Sequence, residues 1–245
     1  MGRINFSVPR LFPPGKVVAG FTDRIGGFSK GPWAELNLGR ETGDDSGTVE
    51  RNRRLLSDYA GVGLSDIAVM NQVHGTTVSV VDRGGQYDGD GILTGTPGIL
   101  LGVLVADCVP LLLYDPEHHA AGAVHGGWRS ITGGITGCAV DLMRETWGTR
   151  PERLLAALGP SAGACCYEIG EDVADRLLPG SVVRRAGKLF GDLRADLSAR
   201  LVEAGLLRKN LDIHPDCTIC GDRYFSHRRD RGITGRMMGF VVLKK

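Results

Sequence analysis

The chain has 245 residues, of which 42% are hydrophobic and 23% charged, an ordinary composition for a globular protein with a core. Its formal net charge of +1 gives no electrostatic reason to expect a nucleic-acid or membrane partner. No apolar segment reaches the ~20 residues of a membrane span or resembles a signal peptide, so we expect a cytoplasmic protein whose six cysteines are reduced.

One domain over residues 1–245 is predicted, because the chain shows no internal repeat and no low-complexity linker. A first strand is predicted over 16–22. A helix then begins at Asp45 or Ser46, either of which can cap its N-terminus, and ends at Gly61. Short apolar runs predict further strands at 68–73, 77–81, 99–105, 110–114 and 120–125. The last three runs are continuously apolar, which is typical of a sheet covered on both faces.

The second half of the chain mixes helices and strands less regularly. A helix is predicted over 130–146, although three glycines within it each cost roughly 1 kcal/mol relative to alanine. Strands are predicted over 154–159 and 237–243. Between them, apolar residues at every third or fourth position predict an amphipathic helix that ends at Gly205, with Phe190, Leu193, Leu197 and Leu201 on one face. Because strands outnumber helices without strict alternation, we predict an α+β fold of mixed β-sheets flanked by helices.

Three side chains that can bind a metal lie where apolar strands should end: His74, Cys108 and His125. Each alone has an ordinary explanation, since a lone histidine is more often hydrogen-bonded than ligating, and a buried cysteine usually packs as a small hydrophobe. All three lie where the chain turns, however, and functional groups are common at such places. We therefore predict that they share one metal ion, with the open fourth position that is typical of a catalytic site.

Two carboxylates are candidates for proton transfer or for orienting a ligand imidazole. Asp107 directly precedes Cys108, and by strand alternation it should point away from that sulfur unless the chain turns there. Asp90 lies in the sequence Asp-Gly-Asp-Gly over 88–91, which is also an ordinary turn signature. Either carboxylate could hold the second ring nitrogen of a metal-bound histidine, as such ligands normally require.

Several arginines are candidates for binding an anionic substrate. Arg129 stands at the start of the helix predicted over 130–146, where a guanidinium and free N–H groups can bind one anion. Arg228 and Arg236 belong to a basic C-terminal cluster and are flanked by aromatic and glycine residues, which favours a substrate-facing role. Arg231 in the same cluster is expected on the solvated surface.

The remaining cysteines raise the question of a second metal site. Cys217 and Cys220 have the spacing of half a structural zinc site or of a redox pair. No second pair matches them, because Cys165 and Cys166 are adjacent in sequence and awkward for one tetrahedral ion. We therefore expect these four residues to be structural thiols.

The chain resembles the purine nucleoside phosphorylase family once labelled polyphenol oxidase or multicopper laccase. The matching motifs run in one order from about Asn37 to Arg236, and several motifs in a fixed order are far more specific than one. Here they read Asn-Gln-Val-His-Gly (71–75), Ala-Asp-Cys-Val-Pro-Leu (106–111), Ala-Val-His-Gly-Gly-Trp-Arg (123–129), Leu-Gly-Pro-Ser-Ala-Gly (158–163), Cys-Cys-Tyr-Glu-Ile-Gly (165–170), Phe-Ser-His-Arg-Arg-Asp (225–230) and Thr-Gly-Arg (234–236). Two departures are visible. His227 stands where tyrosine is common, which bears on substrate preference, and Gly126-Gly127 replaces the more usual Ala-Gly.

The resemblance implies a single α+β domain, similar to toxin-type cysteine deamidases, that holds one zinc ion with His74, Cys108 and His125. It implies an enzyme that phosphorolyses adenosine, inosine and 5′-methylthioadenosine to free base and ribose 1-phosphate, and that also deaminates adenosine. Its partners would be purine nucleosides and inorganic phosphate, and we expect a monomer or homodimer.

Within this reading, candidate roles can be given to the polar residues of the motifs. Asp107 or Asp90 would carry the proton during deamination. Arg129 and one further arginine would hold phosphate, the candidates for the second being Arg53, Arg228 and Arg236. Asn37 is a further candidate for substrate binding.

Rival functions use the same atoms. Cys108 as nucleophile with His125 as base would make a metal-free cysteine hydrolase or deamidase. Two histidines and a cysteine also suit Cu²⁺, with Met70 as an axial ligand, and would support phenol oxidation. Six histidines are too few for the several histidine-bound coppers of a multicopper oxidase, which disfavours that alternative. A purine-sensing module without catalysis is the last alternative.

Overall fold

The computed structural model describes residues 4–245. Within them the strands are β1 (Phe6–Ser7), β2 (Val17–Thr22), β3 (Ile67–Asn71), β4 (Val78–Val80), β5 (Gly85–Asp88), β6 (Gly91–Thr94), β7 (Leu100–Val105), β8 (Val109–Asp115), β9 (Ala120–Gly126), β10 (Leu155–Leu158), β11 (Glu168–Ile169), β12 (Val182–Arg185), β13 (Lys188–Gly191), β14 (Leu211–Ile213) and β15 (Met237–Leu243). The α-helices are α1 (Ser46–Ala60), α2 (Trp128–Thr132), α3 (Ile135–Trp147), α4 (Glu171–Ala174) and α5 (Leu193–Glu203). Short 3-10 helices occupy Gly31–Trp33, Leu64–Asp66, Pro151–Arg153, Pro179–Ser181 and Arg208–Asn210.

Two six-stranded sheets form the body of the fold. Sheet A has the strand order β1-β2-β15-β7-β3-β5, and sheet B has the order β14-β10-β8-β9-β6-β4. Both sheets are mixed: in sheet A, for example, β7 pairs in parallel with β3 and antiparallel with β15. A small antiparallel sheet, β11-β13-β12, lies outside them. The predicted α+β class is confirmed.

The two large sheets pack face to face between two layers of helices. Apolar side chains from both sheets, including Val103 and Leu112, form the core between them. Helix α1 covers the other face of sheet A through Leu56, while α3 and α5 cover the other face of sheet B through Val140 and Leu197. Strands β8 and β9 are consequently buried along their whole length, as their continuously apolar sequences indicate.

The first predicted helix is confirmed as α1, and its caps explain its limits. The Asp45 carboxylate accepts a hydrogen bond from the backbone N–H of Thr48 at 2.7 Å, which satisfies a free donor of the first turn. Gly61 ends the helix with φ of 70°, a left-handed conformation that glycine adopts without steric penalty.

The helix predicted over 130–146 is instead two helices, α2 and α3. Gly133 and Gly134 separate them, and Gly134 has φ of 95°. Two consecutive glycines that lower helix stability therefore break the helix here, although the apolar periodicity continues across the break. The second amphipathic helix begins later than its periodicity suggested. Asp192 caps α5, and Phe190 lies in β13.

The turns that carry the predicted ligands meet at one end of the two sheets. Because β3 and β7 are parallel neighbours, the segments that follow them leave sheet A at the same end. β15 runs antiparallel to β7 and pairs Met237 with Val105, which brings Arg236 to that end. In sheet B, Pro110 at the start of β8 pairs with His125 near the end of β9. Within residues 4–245, no helix is long and apolar enough to cross a membrane.

Candidate metal centre and substrate cavity

The three predicted metal ligands lie together at this end of the sheets. One donor atom from each of His74, Cys108 and His125 lies within 4.8 Å of the other two. The two imidazole rings meet edge to face, with 4.7 Å between their centroids and 75° between their planes. The fold thus brings two nitrogen donors and one sulfur donor to one place, and their binding of a metal stays a prediction.

The loop that carries His74 is held by a buried carboxylate. Asp90 accepts hydrogen bonds from the backbone N–H groups of Val73, His74 and Gly75, at 3.2, 3.0 and 2.7 Å. His74 itself has φ of 59°, an uncommon left-handed conformation for a residue with a side chain. Its ring packs against Gly127, where a Cβ atom would lie only 2.4 Å from His74 Nδ1. These contacts fix the direction of the imidazole.

The same carboxylate orients His125. Asp90 Oδ1 lies 2.7 Å from His125 Nδ1, and both side chains are almost fully buried. With Nδ1 engaged in this way, Nε2 is the ring nitrogen available to a metal or to Cys108. Asp90 therefore has the position that one of its two predicted roles requires, that of the carboxylate behind a ligand imidazole.

Charges in the site are strongly coupled. Burial would lower the pKa of His125, but the neighbouring Cys108 and Asp90 outweigh burial and raise it to about 9. Burial would likewise raise the pKa of Asp90, but hydrogen bonds from His125 and Gly75 lower it. Metal binding at His125 would therefore compete with proton binding.

The donor set fits a metal ion on chemical grounds. Two imidazoles and a sulfur are ligands that both zinc and copper accept. The outer hydrogen bond from His125 to Asp90 is the support that metal-bound histidines normally have. A cavity of about 490 Å³ adjoins all three donors, so a fourth position could be filled by substrate or water.

Four arginines line this cavity, namely Arg40, Arg53, Arg228 and Arg236. Arg53 projects from α1, is buried, and donates from Nε to the carbonyl oxygen of Leu38 at 2.8 Å. Burial, and next the nearby Arg40, lower the pKa of Arg53 to about 10. Burial also lowers the pKa of Arg236, against the opposing effect of Cys108 and Asp107.

None of these four guanidinium groups forms an ion pair with a carboxylate of residues 4–245. Arg236 donates to the carbonyl oxygens of Thr234 and Gly235, and Arg228 to that of Glu168. Carbonyl contacts fix the direction of a guanidinium but do not neutralise it. The cavity is therefore suited to an anion.

Asp107 lines the cavity, and its carboxylate accepts three hydrogen bonds from neighbouring residues. It accepts hydrogen bonds from Thr218 Oγ1 at 2.6 Å, Ser226 Oγ at 3.1 Å and the backbone N–H of Arg228 at 2.7 Å. Its φ of 86° shows that the chain does turn there, before Cys108. Asp107 thus ties the 225–230 motif to the metal centre, and a part in proton transfer stays a prediction.

Two predicted site residues do not reach the cavity surface. Asn37 is fully buried. Its side-chain N–H groups donate hydrogen bonds to Thr42 and Asp44, and its side-chain oxygen accepts one from the backbone N–H of Arg236. Its role is to shape the loop from which Arg236 enters the cavity. Arg129 stacks on the ring of Trp128, 4.3 Å from its centroid, and it is Trp128 that lines the cavity.

Sequence reasoning missed several cavity residues that sit inside the motifs it quoted. Tyr167, in the Cys-Cys-Tyr-Glu motif, lines the cavity beneath the guanidinium of Arg228, and burial raises its pKa. Gln72 lines it too, and its amide exchanges hydrogen bonds with the backbone of Leu104, joining β3 to β7. His227, whose departure from the family motif was already noted, also borders the cavity. Their position within the quoted motifs was the feature of the sequence that could have identified them.

Known proteins resemble this chain over most of its length. Residues 18–244 match the family model described as multi-copper polyphenol oxidoreductase laccase. The chain is 35% identical to purine nucleoside phosphorylase YlmD from Geobacillus stearothermophilus, over 91% of this chain and 89% of that protein. It is 40% identical to a purine nucleoside phosphorylase from Deinococcus radiodurans, over 97% and 94% of the two chains.

Two solved structures are similar along almost the whole chain. The crystal structure of YlmD from Geobacillus stearothermophilus gives a TM-score of 0.89 at 36% identity, covering 94% of this chain and 92% of that one. The structure of Bacillus licheniformis hypothetical protein YfiH gives a TM-score of 0.89 at 33% identity, covering 93% of each.

Proposed function

Because this chain belongs to the multi-copper polyphenol oxidoreductase laccase family, and relatives are named purine nucleoside phosphorylase, we propose that it is a zinc-dependent purine nucleoside phosphorylase. Its substrates would be phosphate and adenosine, inosine or 5′-methylthioadenosine, and its products the free base and the sugar 1-phosphate. The observation that carries the proposal is the group of four arginines, unpaired by any carboxylate of residues 4–245, beside the three-donor set.

We assign phosphate binding to the two least exposed of these arginines, Arg53, which is buried, and Arg236, which is half-buried. In phosphorolysis a phosphate oxygen forms a bond to C1′ of the ribose while the C1′–N9 bond breaks and its electrons pass to the purine. Holding phosphate beside the sugar makes this step effectively intramolecular. Arg53 and Arg236 suit that task, because carbonyl contacts already fix their guanidinium groups and an anion would offset their unpaired charge. Arg228 is a third candidate at the more exposed side.

The nucleoside would lie against the aromatic and metal-binding walls of the cavity. Tyr167 and Trp128 offer ring surfaces on which a purine can stack. A zinc ion held by His74, Cys108 and His125 would supply Lewis-acid chemistry there. Asp90 would keep His125 oriented throughout, because its carboxylate is engaged on both oxygens.

We also propose the adenosine deaminase activity that the resemblance implies. Proton transfer to the leaving ammonia then requires a carboxylate at the cavity. Of the two candidates, Asp107 lines the cavity, whereas Asp90 is fully buried behind His125. Asp107 is therefore our candidate proton carrier, and its three hydrogen bonds fix the position of its carboxylate at the cavity.

Product analysis tests the proposal directly. The purified chain is incubated with adenosine, with and without phosphate, and the nucleobase products are separated by chromatography. We expect adenine and ribose 1-phosphate only when phosphate is present. Some inosine should form with or without phosphate, because deamination consumes water instead. Cys108→Ala should abolish both products, whereas Cys138→Ala, at an exposed position of α3, should change neither. Unchanged products in Cys108→Ala would reject the site assignment.

A second candidate is favoured by the contacts of His125. Cys108, His125 and Asp90 form the series of nucleophile, base and orienting carboxylate that cysteine hydrolases use. A sulfur that binds zinc tightly cannot serve at the same time as a free nucleophile. If zinc-free protein keeps its activity on the nucleoside in the presence of a chelator, the metal-free cysteine mechanism is supported and the zinc-dependent one is refuted. Copper-dependent phenol oxidation, in turn, would require oxygen, so full turnover under anaerobic conditions excludes it.

A further inference from the structure

Four cysteines converge at a place separate from the three-donor set. The sulfur atoms of Cys165, Cys166, Cys217 and Cys220 all lie within 4.8 Å of one another. Cys220 Sγ lies 3.3 Å from Cys165 Sγ and 3.4 Å from Cys166 Sγ. All four are free cysteines in the structure. We propose that they bind a structural zinc ion, so that the chain has a second metal site of four thiolates.

The sequence argued against this site because Cys165 and Cys166 are adjacent, and the backbone removes that objection. The chain makes a tight turn here, in which the carbonyl oxygen of Gly163 accepts hydrogen bonds from the N–H groups of Cys166 and Tyr167, both at 2.9 Å. With the backbone turning through both residues, their side chains need not point to opposite sides as they would in a strand. Both thiols can therefore meet the Cys217–Cys220 pair.

The second pair sits on a turn that is joined to the first. Cys217 forms an isolated bridge with Ser161, and the N–H of Thr218 donates to the Ser161 carbonyl oxygen at 3.0 Å. Cys217 and Cys220 are separated by two residues, the commonest ligand spacing in structural zinc sites.

The surroundings of the sulfur atoms suit thiolates. The backbone N–H of Gly163 points at Cys217 Sγ, with 3.2 Å between nitrogen and sulfur. A Cβ atom at Gly163 would lie 3.3 Å from Cys217 Cβ and 3.4 Å from Cys165 Sγ, so a glycine keeps the two turns close. A tetrahedral ion with zinc–sulfur bonds of ~2.3 Å sets its sulfur atoms about 3.8 Å apart, within the range observed here. A closed four-sulfur set is typical of a structural site.

This ion would cross-link two segments that build the substrate cavity. The first segment continues into Tyr167, which lines the cavity, and the second leads to His227 and Arg228, which also line it. The sulfur atoms that meet belong to residues up to 55 positions apart in the chain. Thr218, next to Cys217, donates to Asp107 beside the first metal centre. Zinc at the four cysteines would therefore hold one wall of the cavity in place without contacting substrate.

Metal counting on purified full-length protein tests the proposal, and it does not depend on the proposed enzymatic activity. Zinc per chain is measured by mass spectrometry for the parent protein, for Cys217→Ser/Cys220→Ser, and for Cys138→Ser as the matched control. We expect the double substitution to lose one zinc per chain and the control to lose none, whatever the occupancy of the His74, Cys108 and His125 set. An unchanged zinc content in the double variant would overturn the proposal.

Cobalt substitution gives a second measurement that does not require the double variant to fold. In Cys108→Ala, which lacks the sulfur of the first site, Co²⁺ should show the intense sulfur-to-metal charge transfer of a tetrahedral four-thiolate site. Absence of that band overturns the proposal. So does thiol titration of the denatured parent protein that finds fewer than the six cysteines free, because disulfides would then occupy the cluster.

Discussion

A methyl group placed at Gly127 should disable the candidate metal centre without replacing any of its three predicted ligands. An alanine Cβ at this position would lie 2.4 Å from His74 Nδ1, 3.0 Å from His74 Cε1 and 3.4 Å from His125 Cε1. An ordinary contact needs about 3.5 Å, so the His74 ring must move by about 1 Å. The backbone is not the obstacle, because Gly127 has φ of −75° and ψ of 156°, which alanine adopts freely.

The size of the effect follows from the narrow range of ligand distances that a metal site accepts. Ligand distances vary by only about 0.2 Å, so a ring displaced by about 1 Å no longer binds. Disturbing the support of a ligand typically lowers metal affinity 10- to 100-fold, and we expect Gly127→Ala to lower zinc affinity by at least about that much.

Zinc affinity can be measured by competition with a chromophoric chelator, and circular dichroism shows whether the variant is folded. Gly137→Ala is the matched control, since nothing lies within 4 Å of a Cβ there and the position is inside α3. The control should keep its zinc affinity and gain up to about 1 kcal/mol of stability from its better helix propensity. Folded Gly127→Ala that binds zinc as tightly as the parent protein would refute the reasoning.

Three further predictions rest on other hydrogen bonds of the structure. Arg53→Lys keeps the positive charge but loses the planar guanidinium group. We therefore expect the KM for phosphate to rise about 10- to 100-fold in steady-state assays, with little change in folding. An unchanged KM would remove Arg53 from the phosphate site. Asp90→Asn should lower zinc affinity about 10- to 100-fold in the chelator competition, because the carboxylate that orients His125 is lost, and equal affinity would contradict this. Burial alone would raise the pKa of Asp115, but hydrogen bonds from Thr149 and His118 lower it below its ordinary value of 3.8. Its carboxylate therefore stabilises the fold fully above pH 3.8, and this contribution disappears as the pH falls through the lower folded-state pKa. Asp115→Asn should accordingly be less stable above pH 3.8 and depend less on pH below it in urea unfolding, and parallel stability curves would refute this assignment.

The residues of the candidate metal centre could be selected from the sequence because the signal for them is local. Each of His74, Cys108 and His125 interrupts or ends an apolar run, and the runs became β3, β7 and β9 with errors of a few residues at their ends. The meeting of these three residues in one place depends on the order of the strands within the sheets. The parallel pairing of β3 with β7 is a property of the sheet and has no local signal in the sequence.

The incorrect expectations have physical reasons as well. Helical periodicity extends through Gly133 and Gly134, where backbone conformation outweighs the apolar pattern, and it extends back to Phe190, whose strand pairing outweighs it. The meeting of four cysteines depends on tertiary contacts between residues up to 55 positions apart, which spacing alone does not reveal.

The place of β15 in the middle of sheet A has a consequence for biosynthesis. This strand follows all the other strands of sheet A in the sequence, yet it lies between β2 and β7, and Arg236 directly precedes it. Until the ribosome releases residues 237–243, β2 and β7 each present an unpaired, apolar edge that can join another nascent chain. Premature stops before residue 237 should therefore yield insoluble products rather than weakly active ones, and chaperone contact during translation should last until β15 has left the ribosome.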